Sequence, residues 1–350
     1  MLCLAYGGAE QSVDGRLGCQ GFAQTSFLQS AVAFVYALYC PKEAAPHLNF
    51  KGPFVSDLVP RMPLSRAILE AVKPVVERFP RLALTYRSLR DARLLGEVPR
   101  KHPMGFFFLG NEEMERGEFE IEEVELVRHL LRDTDVCINV GANIGYYCCI
   151  ALKHGRHVIA FEPIDLNLAY LYKNLWSNGW TNNAEVFPLA ISDKTGLIEI
   201  FGGGTGASLI KGWANTVEMY KRVIPVSTLD TILGERLSGK QCLVIIDVEG
   251  AEYGVLKGAH KLLRQTPKPR WMVEISATEH VPGGKGINPT LTDTFQMFWD
   301  HGYESWTADA RRLPVAKNDI EDILARGDTT ITTTHSFIFV ERGEGQYLAS

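Results

Sequence analysis

The chain has no excess of basic residues: 36 Lys and Arg stand against 41 Asp and Glu, a formal net charge of −5 over 350 residues. A nucleic-acid backbone or an anionic membrane surface selects the opposite balance, so neither is an expected partner. There is no C-x-x-C pair, and the seven cysteines are odd in number. Four of them, Cys137, Cys148, Cys149 and Cys242, sit inside apolar runs. This argues against a disulfide framework and predicts buried, reduced thiols in a cytoplasmic protein. No His/Cys cluster has ligand spacing, so no metal is expected. Phe27–Cys40 is apolar but only 14 residues long, short of the ~20 that a spanning helix needs. The basic segment before it and the small-residue cleavage site after it that a signal peptide requires are both missing. It reads as a helix of an N-terminal appendage, without firm membrane contact. Repeats and low-complexity tracts are absent.

What is present is an ordinary globular composition, 46% hydrophobic and 22% charged. The length exceeds the ~100–200 residues of a typical domain. One large domain over 104–350, preceded by a poorly defined and partly helical extension over 1–103, is the expected organisation. Within the extension, Ile68, Val72, Val75 and Val76 give helical spacing between Leu64 and Leu95, interrupted by Pro74 and Pro80. Residues 103–110 read as a short strand. The acidic run from Glu112 to Glu125 leads into a helix on which Val124, Val127, Leu130 and Leu131 share a face.

From Asp135 the pattern becomes regular. Strands are predicted at Val136–Val140, His157–Phe161, Glu185–Ala190, Cys242–Val248 and Trp271–Ile275. Helices are predicted at Ile144–Lys153, from Asp165 to Asn178-Gly179, and at Ala251–Leu263. Alternation of this kind, with strands apolar on both faces, predicts an α/β, doubly wound, mostly parallel sheet. Ligands of such sheets bind outside the carboxyl ends of the strands.

The turn Gly141-Ala142-Asn143-Ile144-Gly145 follows the first of these strands, where glycines permit a close approach and the helix beyond offers free amides. Glu162-Pro163 ends the second strand, where a carboxylate is placed to accept both hydroxyls of a ribose. Together they predict an adenosine-bearing cofactor. The dinucleotide fingerprint G-x-G-x-x-G is lacking, because Asn143 stands where its middle glycine would be and crowds a pyrophosphate. S-adenosyl-L-methionine has no phosphate, and Asn143 is able to hydrogen-bond its methionine end. Ser192 and Asp193, past the third strand, are expected beside the adenine, with Asp193 accepting from its exocyclic amine.

These residues resemble the FkbM family of class I S-adenosylmethionine-dependent methyltransferases. The resemblance rests on INVGANIGYY at 138–147, AFEPIDLNLAYLYKNL at 160–175 and LAISDKTG at 189–196. It continues with IPVSTLDTIL at 224–233, IIDVEGAEYGVLKGA at 245–259 and WMVEIS at 271–276. It spans about residues 104–340. Asn139 departs from it, since the family usually carries Asp there; an amide keeps the hydrogen bond to the methionyl ammonium and loses the charge. The resemblance implies a Rossmann-like sheet of seven strands, in which the last, Ser336–Glu341, is antiparallel and pairs with a strand at Tyr303–Trp306. It also implies O-methylation of a hydroxyl on a sugar, polyketide or related metabolite, a small-molecule or glycan acceptor.

Such chemistry needs an acceptor oxygen held in line with the methyl group and a group to take its proton. Asp247, Glu249 and Glu274, in that order, are the candidates, and strand alternation predicts that Asp247 and Glu249 point to the same side. Glu252 reads equally well as helix N-terminal charge. His280, alone in a Gly/Pro-rich loop, reads as solvent-exposed. Two alternatives remain: a catalytically impaired cofactor-binding protein on the same fold, kept open by Asn139, and an NAD-dependent oxidoreductase, disfavoured by the missing glycine.

Overall fold

The computed structural model describes residues 96–203, 206–215, 221–284, 286–327 and 334–348. The helices expected at Phe27–Cys40 and Leu64–Leu95 lie outside the described residues, as do Cys3, Cys19 and Cys40.

Eight strands form the main sheet. In chain order they are β1 (Val136–Val140), β2 (His157–Phe161), β3 (Ala184–Phe187), β7 (Cys242–Ile246), β8 (Arg270–Glu274), β9 (Tyr303–Thr307), β10 (Pro314–Val315) and β11 (Ser336–Glu341). Three others, β4 (Ala190–Ile191), β5 (Gly196–Ile200) and β6 (Arg222–Ser227), make a separate small sheet in the order β4-β6-β5. The main sheet runs β10-β9-β11-β8-β7-β1-β2-β3. From β8 to β3 every pairing is parallel. β11 is antiparallel to both β8 and β9. The seven expected strands, the antiparallel last one among them, are therefore present, and the two-residue β10 adds an eighth at the edge.

The parity of the buried side chains explains the double winding. Val136, Ile138, Val140, Val244, Ile246, Trp271, Val273, Phe337 and Phe339 belong to one core. Their neighbours Cys137, Leu243, Ile245, Met272, Ile338 and Val340 belong to the other. Each face is covered by helices. On the first lie α5 (Leu229–Leu233), α6 (Glu252–Lys257), α7 (His260–Arg264) and α8 (Leu291–Asp300). On the second lie α1 (Glu112–Arg116), α2 (Ile121–Leu130), α3 (Tyr146–Lys153) and α4 (Asp165–Ser177). Burying each large apolar side chain contributes about 1.5–3 kcal/mol, so a strand apolar on both faces is held twice. Cys137, Cys148, Cys149 and Cys242 are free buried thiols within these layers.

Several elements differ from expectation, among them the strand read over 103–110, which is only Phe107–Phe108, paired antiparallel with Arg100–Lys101. β3 stops at Phe187 and β7 at Ile246, earlier than the apolar runs that suggested them. The helix read over Ala251–Leu263 is broken into α6 and α7 around Gly258. A Cβ on Gly258 would lie 2.2 Å from the carbonyl oxygen of Ser192, and the Gly258 carbonyl accepts from the backbone of Asp230. The contact with neighbouring loops, rather than helical periodicity, sets the chain path there.

Candidate active site

A cleft of about 550 Å³, open mouth included, lies at the carboxyl ends of β1, β2 and β7. One rim is the glycine turn. Gly141, Asn143 and Gly145 all have positive φ (84°, 51° and 86°), a conformation that is open to glycine and costly for most other residues. The turn is held from within. The N–H groups of Gly141 and Ala142 both donate to the Phe161 carbonyl, at 3.0 and 2.9 Å. That of Asn143 donates to Glu162 Oε2 at 2.8 Å. A Cβ on Gly141 would stand 1.7 Å from the Asp247 carbonyl oxygen, and one on Gly145 2.2 Å from Leu171 Cδ1. The close approaches that these glycines permit are thus to the protein itself.

Glu162 is buried at the end of β2. Its Oε1 accepts from the Ile164 N–H at 2.8 Å and from Asn167 Nδ2 at 3.2 Å. Burial pushes its carboxyl up to about 7, against the pull of these donors. The amide oxygen of Asn143 is buried with no hydrogen-bond partner in the protein. An orphaned acceptor beside a carboxylate that retains lone pairs fits a ligand rich in donors, such as a ribose or an ammonium group. Leu189, Ile191, Ile200 and Leu209 form an apolar wall of the same cleft, contributed largely by the small sheet and suited to a flat ring. The residues present fit S-adenosyl-L-methionine.

The far wall is acidic. Asp247, Val248 and Glu249 all line the cleft. Strand alternation does not account for this, because β7 has ended and Glu249 has φ 54°. Asp247 and Glu274 hydrogen-bond each other. Burial, and then the neighbouring carboxylates, hold Asp247 well above the usual range and push Glu274 to about 8. Glu252, fully buried, caps the Gly250 N–H at 2.9 Å and is driven by burial to about 7. Glu249 is raised by burial, yet it is opposed by the Trp213 indole, whose Nε1–H donates to Oε2 at 3.1 Å, and by His280. At the base of this wall Tyr147 donates to Glu120 at 2.5 Å, and burial raises both groups.

Gly141, Asn143, Glu162, Pro163, Asp247 and Glu249 are therefore brought to one cleft, with Glu274 bonded behind Asp247. Asn139 is not. It is buried on the opposite face of β1, where Nδ2 lies 3.5 Å from Cys148 Sγ. Ala142 and Gly145 pack into the core beside it. Ser192 and Asp193 also stand outside the cleft. After β3 the chain crosses the cleft floor as Leu189-Ala190-Ile191, and Asp193 emerges beyond it to pair with Lys257 at 2.6 Å. Sequence reasoning missed Trp213, in a segment without periodicity or motif, and also Glu120 and Tyr147, which it read only as part of the acidic run and of the turn-and-helix motif. His280 is exposed, as expected, and its Nδ1 stands 3.7 Å from Glu249 Oε2. Among the described residues no group of three or more His, Cys, Asp or Glu could hold a metal ion, and no helix is long and apolar enough to cross a membrane.

Comparison with known proteins bears on this geometry. Residues 139–305 match the methyltransferase FkbM domain. No curated protein matches the chain. Solved structures align at low similarity. A precorrin-6y C5,15-methyltransferase from Geobacter metallireducens is 12% identical, with TM-score 0.35 over 67% of this chain and 95% of that one. An O-methyltransferase from Bacillus cereus, in complex with SAH, is 11% identical, with TM-score 0.34 over 63% and 80%. An rRNA methylase from Streptococcus thermophilus is 12% identical, with TM-score 0.32 over 62% and 90%. With the glycine turn, Glu162 and the acidic strand ends all inside the matched segment, the chain carries an FkbM methyltransferase domain and works with S-adenosyl-L-methionine.

Proposed function

We propose that the protein is an O-methyltransferase whose acceptor is a hydroxyl on a sugar, polyketide or related metabolite. The observation that carries this reading is the pairing, in one cleft, of the Glu162–Asn143 rim with a wall of carboxylates. An acceptor hydroxyl must lose a proton as it gains the methyl group, and carboxylates facing the site are the groups able to take it.

When bound, the cofactor supplies an activated methyl group on a cationic sulfur. Glu162 and Asn143 would hold its ribose and amino-acid end, and Leu189, Ile191 and Ile200 its adenine. The negative wall suits that cation. Among the carboxylates we assign proton acceptance to Glu249, ahead of Asp247 and Glu274. Asp247 and Glu274 repel one another's charge and share a hydrogen bond, which keeps a proton between them. Glu249 has two partners, Trp213 and His280, that favour its charged form.

Calorimetric titration with S-adenosylmethionine and S-adenosylhomocysteine, followed by transfer of a labelled methyl group to a metabolite extract, tests the reading. Binding of both ligands, with label in a base-stable, ether-linked methyl, is the expected result. Label in nitrogen- or carbon-linked methyl groups, or in RNA, would overturn the assignment of an oxygen acceptor.

A further inference from the structure

Three loops meet beside the acidic wall of the cleft. The first follows β5 and carries Ser208 and Trp213, the second follows β7 and carries Glu249 and Gly250, and the third follows β8 and carries His280. Six non-glycine residues have positive φ among the described residues, and three of them are here: Ala214 at 49°, Glu249 at 54° and His280 at 64°. Such conformations cost of order 1–3 kcal/mol each and persist where surrounding contacts impose them. The contacts are identifiable. Ala214 N–H donates to the His280 carbonyl at 2.7 Å. Ser208 Oγ donates to the Glu249 carbonyl at 2.6 Å. The Trp213 ring fills the space that a Cβ on Gly250 would need, 2.6 Å away. Trp213 itself is 2% exposed.

Every one of these contacts bears on the placement of one side chain. The Glu249 carboxylate lines the cleft and receives the Trp213 indole at 3.1 Å, while His280 Nδ1 stands 3.7 Å from the same oxygen. The Trp213 and His280 rings meet edge to face, with centroids 6.4 Å apart. A loop built merely to connect β8 to α8 would have no need to bring a strained histidine onto a cleft carboxylate.

We propose that His280 is a positioning residue for methyl transfer: together with Trp213 it fixes the Glu249 carboxylate, in its charged form, on the acceptor side of the cleft. The inference rests on the reading of Glu249 as proton acceptor and extends it to a residue that contacts neither cofactor nor strand. The other described titratable groups that act on Glu249 are carboxylates. Asp247 and Glu252 come from the end of β7 and the start of α6, and Glu274 from the end of β8. Among the described titratable groups, His280 is the one that favours the charged form of Glu249.

The full chain, saturated with S-adenosylhomocysteine, offers a test that needs no acceptor. The Trp213 indole N–H reports the charge of Glu249 and is assigned by its loss in Trp213→Phe. In His280→Gln its titration midpoint should rise by about one pH unit, since the variant removes a group that favours the charged form of Glu249. Affinity for S-adenosylhomocysteine should stay within about twofold. Labelled transfer to a metabolite extract should fall at least tenfold, with the acid limb of its pH profile moved up by the same unit. His280→Lys, which places a cation beside Glu249, should recover most of the loss. An unmoved indole titration, or equal losses in the Gln and Lys variants, would overturn the proposal. Failure of the wild-type protein to bind S-adenosylhomocysteine would instead strike at the cofactor reading beneath it.

Discussion

Glu162 Oε2 accepts the backbone N–H of Asn143 at 2.8 Å, joining the end of β2 to the glycine turn after β1. The carboxylate that faces the cleft is thus also the clasp of the loop that forms its rim. Substitutions at this position should therefore act on two observables. A charge-assisted hydrogen bond to a ribose is worth about 1.5–3 kcal/mol, so Glu162→Ala should weaken S-adenosylmethionine binding by roughly 10- to 150-fold. It should also lower the melting temperature of the unliganded protein, because three donors lose their acceptor. Calorimetry and thermal denaturation measure the two separately. Full affinity in Glu162→Ala would place the ribose elsewhere.

Gly141→Ala tests the turn itself. The new methyl would stand 1.7 Å from the Asp247 carbonyl oxygen on a backbone at φ 84°, so either β1 or the end of β7 must move. A loss of about 3 kcal/mol or more in stability is expected from overpacking and strain together. Denaturant unfolding measures it, and a loss under ~1 kcal/mol would contradict the packing described.

Asp193→Ala should do almost nothing to cofactor affinity. Its carboxylate pairs with Lys257 outside the cleft, and that pairing lowers its pKa. As an exposed ion pair it contributes at most about 1 kcal/mol to stability. A tenfold or larger loss of S-adenosylmethionine affinity would show that Asp193 reaches the adenine after all.

This position marks where the sequence stopped being legible. Strands β1, β2, β7 and β8 were readable because burial on both faces leaves continuous apolar runs, and their registers follow from parity. The Gly141–Gly145 turn and Glu162 were readable because strand-to-helix turns have local chemistry. Ser192 and Asp193 were not, since the path after β3 depends on Ala190–Ile191 pairing with β6, some 36 residues further on. The break at Gly258 depends on the same crossing, through the Ser192 carbonyl. His280 and Trp213 have no local signature at all: what makes them notable is the approach of three loops that are distant in sequence.

Stability and binding should show opposite pH trends. Burial raises Glu162 and Glu252 to about 7 and Glu274 to about 8, from an ordinary value of 4.5. Between those limits the folded protein holds protons that the unfolded chain has lost. The stability these groups confer is therefore complete below about pH 4.5 and is lost as pH rises through 7 to 8. The unliganded protein should melt at a higher temperature at pH 5.5 than at pH 8. Affinity for the cationic cofactor should instead increase over that window as the wall gains charge. Thermal melts with and without S-adenosylmethionine across pH 5.5–8 measure both, and parallel trends would count against a proton-holding acidic wall.

Asp247→Asn separates the shared-proton pair from the proton acceptor. Asp247 and Glu274 repel one another in the folded protein, and Glu249 and Glu120 add to the repulsion. An amide of the same shape removes one charge while it keeps a hydrogen-bonding group opposite Glu274. If the relief is about 1 kcal/mol, the melting temperature near pH 8 should rise by about 2–4 °C. Turnover should remain within about tenfold of wild type, whereas Glu249→Gln should lose roughly 10²–10⁴ with cofactor affinity retained. Rates of labelled methyl transfer and calorimetric affinities for the two variants measured side by side decide the matter. The reverse ranking, with Asp247→Asn inactive and Glu249→Gln active, would return the proton to Asp247 and leave the Trp213–Glu249–His280 assembly a structural clasp.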